Sequence, residues 1–159
     1  MLGGWLIYMN VYRVSKTAGP ETRVAIMNLM MEQMNQLGDP VTEENLLKTI
    51  DLALTEKSGS EFFVAEKKEG GIVGCAFFNT GISLEKGGAY IWLNDLYVKK
   101  SERQKGIAKR LLLQVLYWAE QEEYTGIELE TGINNAATKR LYNSLGFYDI
   151  ISKRYSRSL

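Results

Sequence analysis

One segment in the second half of the chain joins a strand pattern directly to a helix pattern. Residues 89–98 (AYIWLNDLYV) are rich in apolar and aromatic side chains, which favours a β-strand. Residues 103–110 (RQKGIAKR) follow with four Lys or Arg, no acid and one glycine, and an apolar helix pattern then continues to about Glu122. Because a helix start exposes unpaired amides and the positive end of its dipole, this unit is a natural place to bind an anion such as a phosphate.

Taken alone, the glycine loop is a weak indication. Charged residues are also common at exposed helix starts that bind nothing. The loop matches neither G-x-x-x-x-G-K-[ST] nor G-x-G-x-x-G, the two glycine patterns that usually hold nucleotide phosphates.

The other patterns along the chain predict an α/β sandwich with a mixed sheet. Thr42 is a fair N-cap for the second helix, and residues 67–71 indicate a hairpin. The order is β, α, α, β, β, β, α, β, α, β. Besides 89–98, the predicted strands are 9–14, 61–66, 72–79, 127–130 and 147–155, and the predicted helices are 21–37, the segment after Thr42, the one that follows Gly106, and 134–145.

Composition narrows the class of protein. A length of 159 residues predicts a single domain over 1–159, with residues 1–8 as an upstream extension before a start at Met9. The apolar residues 1–10 are too short to span a bilayer and lack a signal-peptide pattern, so we expect a cytoplasmic protein. Acidic and basic residues balance at 19 each, which argues against a nucleic-acid or anionic-membrane partner.

Two residue types limit the chemistry. The chain has no histidine, which removes the usual general base and makes a metal site unexpected. Its single cysteine, Cys75, lies in an apolar run and is predicted to be a small core residue rather than a nucleophile.

Two motifs together resemble the GNAT superfamily of N-acetyltransferases. Residues 103–108 (RQKGIA) match the family's R/Q-x-x-G-x-G/A signature and follow a strand that ends in D-L-Y-V. Asn135 through Phe147 resembles the second signature, N-x-x-A-x-x-L-Y-x-x-x-G-F, with Thr138 in the usual alanine position. The resemblance covers roughly residues 60–150, and it implies a GNAT-type mixed sheet flanked by helices, with splayed central parallel strands.

The resemblance also implies acetyl-CoA as cosubstrate and no metal. The pyrophosphate would bind backbone amides of the glycine loop, and the pantetheine arm would pair with the strand backbone at Leu96 and Val98. A β-bulge near Asn94 would open the gap between the splayed strands and aim an amide at the thioester carbonyl. The cofactor-binding residues implied in this way are Leu96, Tyr97, Val98, Arg103, Gln104, Lys105, Gly106, Ile107, Ala108, Lys109 and Asn135.

The catalytic residues follow less directly. The resemblance assigns Tyr142 as the acid that protonates the leaving thiolate, whereas local sequence alone indicates a helix cap for Asn135 and a core-edge phenol for Tyr142. Because the chain has no histidine, the base is a carboxylate, an ordered water chain or solvent. Some family members carry a glutamate where this chain has Asn94, which can orient water but cannot take a proton. The candidates are Asp95, Glu128 and Glu130; a solvated sheet edge explains the two glutamates equally well.

The acceptor site would be built from residues 21–60 and a loop at 80–90. Acidic residues there hint at a small cationic amine, although solvated helix faces would also carry them. They are Glu32, Asp39, Glu43, Glu44 and Glu85. The function expected is N-acetyl transfer to a primary amine of a small molecule, with a homodimer as a further expectation. A non-catalytic acyl-CoA-binding regulatory module is the alternative, and a nucleic-acid-binding domain is disfavoured by the neutral charge.

Overall fold

One mixed sheet organises the larger part of the fold. The computed structural model describes residues 9–132 and 135–159. Within them, five strands lie in the order β1-β2-β3-β4-β5, antiparallel except for the parallel pair β4–β5. The strands are β1 (Met9–Arg13), β2 (Ser60–Lys67), β3 (Ile72–Ser83), β4 (Gly88–Val98) and β5 (Gly126–Leu129). This arrangement confirms the predicted mixed sheet.

The ends of the first two helices are set by residues that are suited to cap them. Gly38 ends the first helix in the left-handed conformation, at φ 74°. Thr42 caps the second helix as predicted, since its Oγ1 accepts a hydrogen bond from the Asn45 amide at 3.2 Å. The helices are α1 (Pro20–Leu37), α2 (Glu43–Ala53), α3 (Ile107–Gln121) and α4 (Ala136–Ser144), with a 3₁₀ turn at Lys100–Glu102.

Helices cover both faces of the sheet. On one face, α1 and α2 bury Ile26 and Ile50 against Phe62, Val64 and Cys75. Cys75 is fully buried, and burial raises the pKa of its thiol, which confirms it as a core residue. The other face receives α3, which contributes Leu111, Val115 and Trp118. The Trp118 ring lies edge-on to Phe63 and is tilted against Phe78.

A glycine sets how closely α3 approaches the sheet. A Cβ built on Gly74 of β3 would lie 3.0 Å from both Ile107 Cγ2 and Leu111 Cδ1. Any larger residue would press against the first two turns of α3. Gly74 therefore fixes the position of the helix start that follows the glycine loop.

The described chain divides into two units, one ending at Leu129 and the other beginning at Glu130. The second unit contains α4, and Gly146 follows that helix at φ 86°. Whether the whole chain acts as a single domain stays a prediction. The expected start of α4 at residue 134 and the interpretation of residues 1–8 lie outside the described residues.

Two predicted elements differ from the structure. The final strand over 147–155 is wrong, because residues 147–159 form no strand. A strand needs a hydrogen-bonded neighbour, and the described part of the second unit offers none; Ile151 and Tyr155 are exposed instead. The loop expected at 80–90 is mostly strand, since β3 runs to Ser83 and β4 begins at Gly88, joined by a turn closed by Gly87 N to Ser83 O at 3.0 Å. None of the described helices is both long and apolar enough to cross a bilayer.

Candidate active site

The glycine loop forms an open helix start. Gly106, at φ 75°, is the N-cap of α3, and no side chain caps this end. The first hydrogen bond of the helix runs from Arg110 N to Gly106 O at 3.1 Å, so the amides of residues 107–109 have no earlier carbonyl within the helix. Gln104 is also left-handed, at φ 63°. Two left-handed residues in a loop of this length turn successive amides toward one side, which is the geometry of an anion-binding backbone.

The basic side chains of the loop are less available than the sequence suggests. Arg103 turns back toward β4 and α1: its Nε donates to Val98 O at 3.0 Å, its Nη2 donates to Gln36 Oε1 at 3.2 Å, and its guanidinium lies 5.3 Å from the centre of the Tyr97 ring. Its role as a cofactor contact stays a prediction. In the structure it fixes the loop to its neighbours.

A buried carboxylate accompanies the next cation. Lys105 Nζ donates to Glu102 Oε2 at 2.7 Å, and Lys67 of β2 contacts Glu102 Oε1. Glu102 is only 7% exposed, and the hydrogen bonds from Lys105 and Lys67 lower the pKa of its carboxyl. The charge that the sequence appeared to collect between 103 and 110 is thus partly balanced by an acid immediately before it.

Glu32 holds the other side of the loop. Its Oε1 accepts from the Tyr97 hydroxyl at 3.0 Å and from the Lys100 amide at 3.1 Å. The Lys100 amide is the first cause of the lowered pKa of Glu32, and the Tyr97 hydroxyl adds to it. The sequence suggested that Glu32 belonged to a site for a cationic amine. The structure instead commits this carboxylate to the anchor between α1 and the end of β4.

The end of β4 carries the bulge expected from the resemblance. Phe77 of β3 lies opposite Asp95 and Phe78 lies opposite Leu93, so Asn94 is the extra residue on β4. The bulge is therefore confirmed. Pairing between β4 and β5 covers residues 90–93 and 126–129, and β5 ends there while β4 continues to Val98. The backbone of Leu96 and Val98 lies in this stretch of β4 beyond the last β5 partner, as the splayed arrangement requires.

Asp95 is a partly buried carboxyl directly after the bulge. It is half-buried, and burial raises the pKa of its side chain, while a hydrogen bond from Gln33 of α1 acts in the opposite direction. Gln33 Oε1 is buried without a hydrogen-bond partner among the described residues. A carboxyl with a raised pKa beside a bulge is better suited to take up a proton than an ion-paired one.

The other candidate carboxylates are ion-paired. Glu128 Oε1 lies 3.0 Å from Lys86 Nζ, and Glu130 Oε2 lies 2.6 Å from Arg154 Nη1 in the second unit. A carboxylate held in an ion pair has fewer free lone pairs with which to meet a substrate, whereas Asp95 forms no ion pair with any described residue. Asp95 is thus the stronger candidate of the three.

The second unit positions the residues of the second motif. Asn135 is the N-cap of α4, because its Oδ1 accepts from the Thr138 amide at 3.1 Å. Tyr142 is 9% exposed, burial raises the pKa of its phenol, and its ring packs edge-on against Phe147 with centroids 5.6 Å apart. Both local interpretations, a cap and a packed phenol, are confirmed. The cofactor role of Asn135 and the acid role of Tyr142 stay predictions.

Several residues that shape this region carried no clear signal in the sequence. Glu32 and Gln33 contact residues more than sixty positions later in the chain, which no local pattern reveals. Glu102 stands directly before the glycine motif, and an acid at that position was the one available signal. Lys67 and Asn79 come from neighbouring strands, and only the register of the sheet brings them close.

The comparison with known families decides the class of protein. The model for the acetyltransferase (GNAT) family matches residues 24–147, a span that includes the bulged strand, the glycine loop and α4. The chain belongs to the GNAT family. Its architecture agrees, since an aminoglycoside N-acetyltransferase, AAC(6')-Iy in complex with CoA, superimposes with a TM-score of 0.77 at 19% identity, covering 95% of both chains.

Two acetyltransferases are similar to this chain in sequence. An IAA acetyltransferase of Azospirillum brasilense is 31% identical over 127 residues, which is 79% of this chain and 78% of the relative. Human N-acetyltransferase 8 is 33% identical over 103 residues, which is 64% of this chain but 44% of the human protein. The match therefore spans less than half the length of the human relative.

Proposed function

We propose that this GNAT domain transfers an acetyl group from acetyl-CoA to a primary amine of a small molecule. The observation that carries the proposal is the uncapped start of α3 at Gly106, which follows directly from the bulged end of β4. The complex of AAC(6')-Iy with CoA supports the choice of cosubstrate, and its name, like that of N-acetyltransferase 8, supports an amine acceptor.

The residues present fit a bound CoA. A Cβ built on Gly106 would meet nothing within 4 Å, so the loop leaves open space on the side where a side chain would otherwise stand. The amides of the glycine loop and of the first turn of α3, from Gln104 through Lys109, would offer donors to the pyrophosphate. The backbone of Leu96, Tyr97 and Val98 and the side chain of Asn135 would hold the pantetheine arm. Acetyl-CoA supplies an acetyl group activated as a thioester.

Asp95 would prepare the acceptor. A primary ammonium has a pKa of about 10 and is not a nucleophile until it loses a proton. The raised pKa of the half-buried Asp95 carboxyl brings it closer to the range in which a base works at neutral pH. Glu130, which is paired with Arg154, stays the second candidate for this role.

Two further groups would stabilise developing charge. A backbone amide freed by the bulge at Asn94 would donate to the oxygen that gains negative charge during transfer. The phenol of Tyr142 would donate its proton to the departing thiolate. A phenol whose pKa is raised by burial stays protonated at neutral pH and is ready to donate.

The test is a screen of amines with acetyl-CoA, read by mass spectrometry of the products together with release of the CoA thiol. We expect at least one small amine to gain an acetyl group in stoichiometric step with thiol release. CoA binding without acetylation of any amine would replace this proposal with the non-catalytic acyl-CoA-binding module. Absence of CoA binding would remove both.

A further inference from the structure

Three polar side chains form a hydrogen-bonded chain across the sheet beside the bulge. Ser60 Oγ of β2 bonds to Asn79 Oδ1 of β3 at 2.5 Å, and Asn79 Nδ2 donates to Asn94 Oδ1 of β4 at 2.8 Å. Ser60 and Asn79 are direct partners in the sheet register, and Asn94 is the extra residue of the bulge. This series of hydrogen bonds therefore ends at Asn94, whose side chain is exposed to solvent.

The polarity of this chain fixes the orientation of the last amide. A side-chain amide accepts at its oxygen and donates at its nitrogen. Because Asn79 donates to Asn94 with its nitrogen, its oxygen faces Ser60, and the Ser60 hydroxyl donates. Asn94 Oδ1 already accepts one hydrogen bond from Asn79, and none of the described residues accepts from Asn94 Nδ2. The exposed end of the chain is thus a hydrogen-bond donor held in one orientation.

A donor and a proton acceptor follow one another at the bulge. Asn94 offers two N–H groups, and the next residue, Asp95, carries the carboxyl with the raised pKa. The other polar and titratable groups around Asp95 are engaged or buried: Glu32 binds Tyr97 and the Lys100 amide, Cys75 is fully buried, and Gln33 donates to Asp95 itself. An acceptor molecule would therefore meet a fixed N–H donor next to a group able to take its proton.

We propose that the acceptor is an amine that carries a carbonyl or carboxylate oxygen on the neighbouring carbon, with Asn94 Nδ2 binding that oxygen. Ser60 and Asn79 are positioning residues that hold the Asn94 amide with its nitrogen outward. The inference rests on the proposed function for its amine acceptor. It adds that an amino-acid-like acceptor is preferred over a plain alkylamine.

The preference follows from the cost of leaving a donor without a partner. An α-amino amide or acid supplies an oxygen to Asn94, whereas an alkylamine of the same shape covers the donor with methyl groups and removes its water. Because the amide is already oriented, the oxygen gains the hydrogen bond without the entropy cost of ordering the side chain. One neutral hydrogen bond of this kind is worth a factor of about 2 to 10 in affinity.

Glycinamide and isobutylamine form a matched pair of probes. They have the same branched skeleton, and the second replaces the amide oxygen and nitrogen of the first with two methyl groups. The experiment titrates each into the isotopically labelled full chain with CoA present, at a pH where both are cationic, and follows the Asn94 side-chain NH₂ resonances. Those resonances are assigned by their loss in Asn94→Leu.

Binding decides the inference independently of turnover. We expect glycinamide to shift the Asn94 NH₂ resonances and to bind about 2- to 10-fold more tightly than isobutylamine. Equal affinities, or no movement of these resonances with glycinamide, would overturn the inference even if some amine is acetylated. Loss of all acetylation in the mass-spectrometric screen, with the glycinamide shift retained, would instead overturn only the proposed function.

A second variant tests the polarity itself. In Asn79→Asp, a carboxylate can accept from both neighbours, so the Asn94 amide should turn and present its oxygen. We expect the preference for glycinamide to disappear. Asn10→Asp, the same chemical change on the exposed residue of edge strand β1, is the control and should keep the preference. A folded Asn79→Asp variant that still favours glycinamide by the wild-type factor would contradict the hydrogen-bond chain as the cause.

Discussion

The Tyr97 hydroxyl donates to Glu32 Oε1 at 3.0 Å and thereby ties the end of β4 to α1. The same oxygen accepts from the Lys100 amide, which begins the 3₁₀ turn of the glycine loop. One carboxylate thus holds both the strand that would line the pantetheine arm and the loop that would bind the pyrophosphate.

Replacing Glu32 with glutamine should lower stability at neutral pH. Glutamine keeps the shape but turns two charge-assisted hydrogen bonds into weaker neutral ones, so we expect the free energy of unfolding to fall by about 1 kcal/mol. The folded state lowers the pKa of Glu32, so this stabilisation is present above the unfolded pKa and is lost as the pH falls through the folded pKa.

Urea unfolding at pH 7 and near pH 3.5 measures this difference. The difference in free energy of unfolding between wild type and Glu32→Gln should be smaller at the lower pH. Glu85→Gln, at an exposed position in the β3–β4 turn, is the matched control and should change stability little. A gap of the same size at both pH values would show that the carboxylate charge is not what stabilises the anchor.

Gly106→Asp should strongly weaken CoA binding. It places a negative side chain beside the proposed pyrophosphate site, and like-charge juxtaposition of this kind should weaken affinity by roughly 10²-fold or more. Gly38→Asp is the control: its φ of 74° matches the 75° of Gly106, and neither glycine has an atom within 4 Å of an added Cβ. Both variants should lose about 1–2 kcal/mol of stability from the left-handed backbone. Titration calorimetry should show weaker CoA binding by Gly106→Asp than by Gly38→Asp. Equal affinities would refute the proposed pyrophosphate site at Gly106.

Tyr142→Phe should reduce kcat by about 10²- to 10⁴-fold, the usual contribution of general acid–base catalysis. The ring keeps its packing on Phe147, so stability and the affinity for acetyl-CoA should barely change. The measurement is kcat on an amine found by the screen, with Tyr148→Phe, at a 79% exposed position, as the control. A rise in KM with kcat unchanged would mark the hydroxyl as a binding contact, not an acid.

Asp95→Asn should stabilise the protein at neutral pH while impairing catalysis. Because burial raises the pKa of Asp95, the folded state binds its proton more tightly than the unfolded chain does. The stability that protonated Asp95 contributes is therefore fully present below its pKa in the unfolded chain, and it is lost as the pH rises through its pKa in the folded state. We expect the free energy of unfolding of Asp95→Asn to exceed that of wild type by about 0.5–2 kcal/mol at pH 7 and to equal it at low pH.

The same variant should lose about 10²-fold or more in kcat if Asp95 is the base. Asp39→Asn, at an exposed position, is the control for both measurements. Retained activity in Asp95→Asn would return the role of base to a water chain or solvent.

Sequence predicted those features that depend on a few neighbouring residues. The end of the first helix at residue 37, the cap at Thr42 and the open helix start at Gly106 all follow from the conformational range of one residue and its immediate neighbours. The bulge at Asn94 required the family resemblance, because an extra residue in a strand is defined by its partner strand.

The partners of the charged side chains were beyond sequence reasoning. Glu32 binds Tyr97 across 65 positions, and Lys67 reaches Glu102 only because the sheet brings β2 near the loop. Counting cations between 103 and 110 therefore overestimated the free positive charge. The final strand failed for a related reason: alternation shows which face a segment could bury, but a strand also needs a neighbour.

Gly74 influences the proposed cofactor site from a distance, because it determines how closely α3 packs on the sheet. Its missing side chain lets Ile107 and Leu111 rest against β3, so the depth at which α3 seats on the sheet sets where its first amides point. A single added methyl group there would tilt or lift the helix by tenths of an ångström without contacting any ligand. Substitutions at this buried position would consequently change cofactor affinity through the position of α3, and comparing only the residues that line the ligand would miss them.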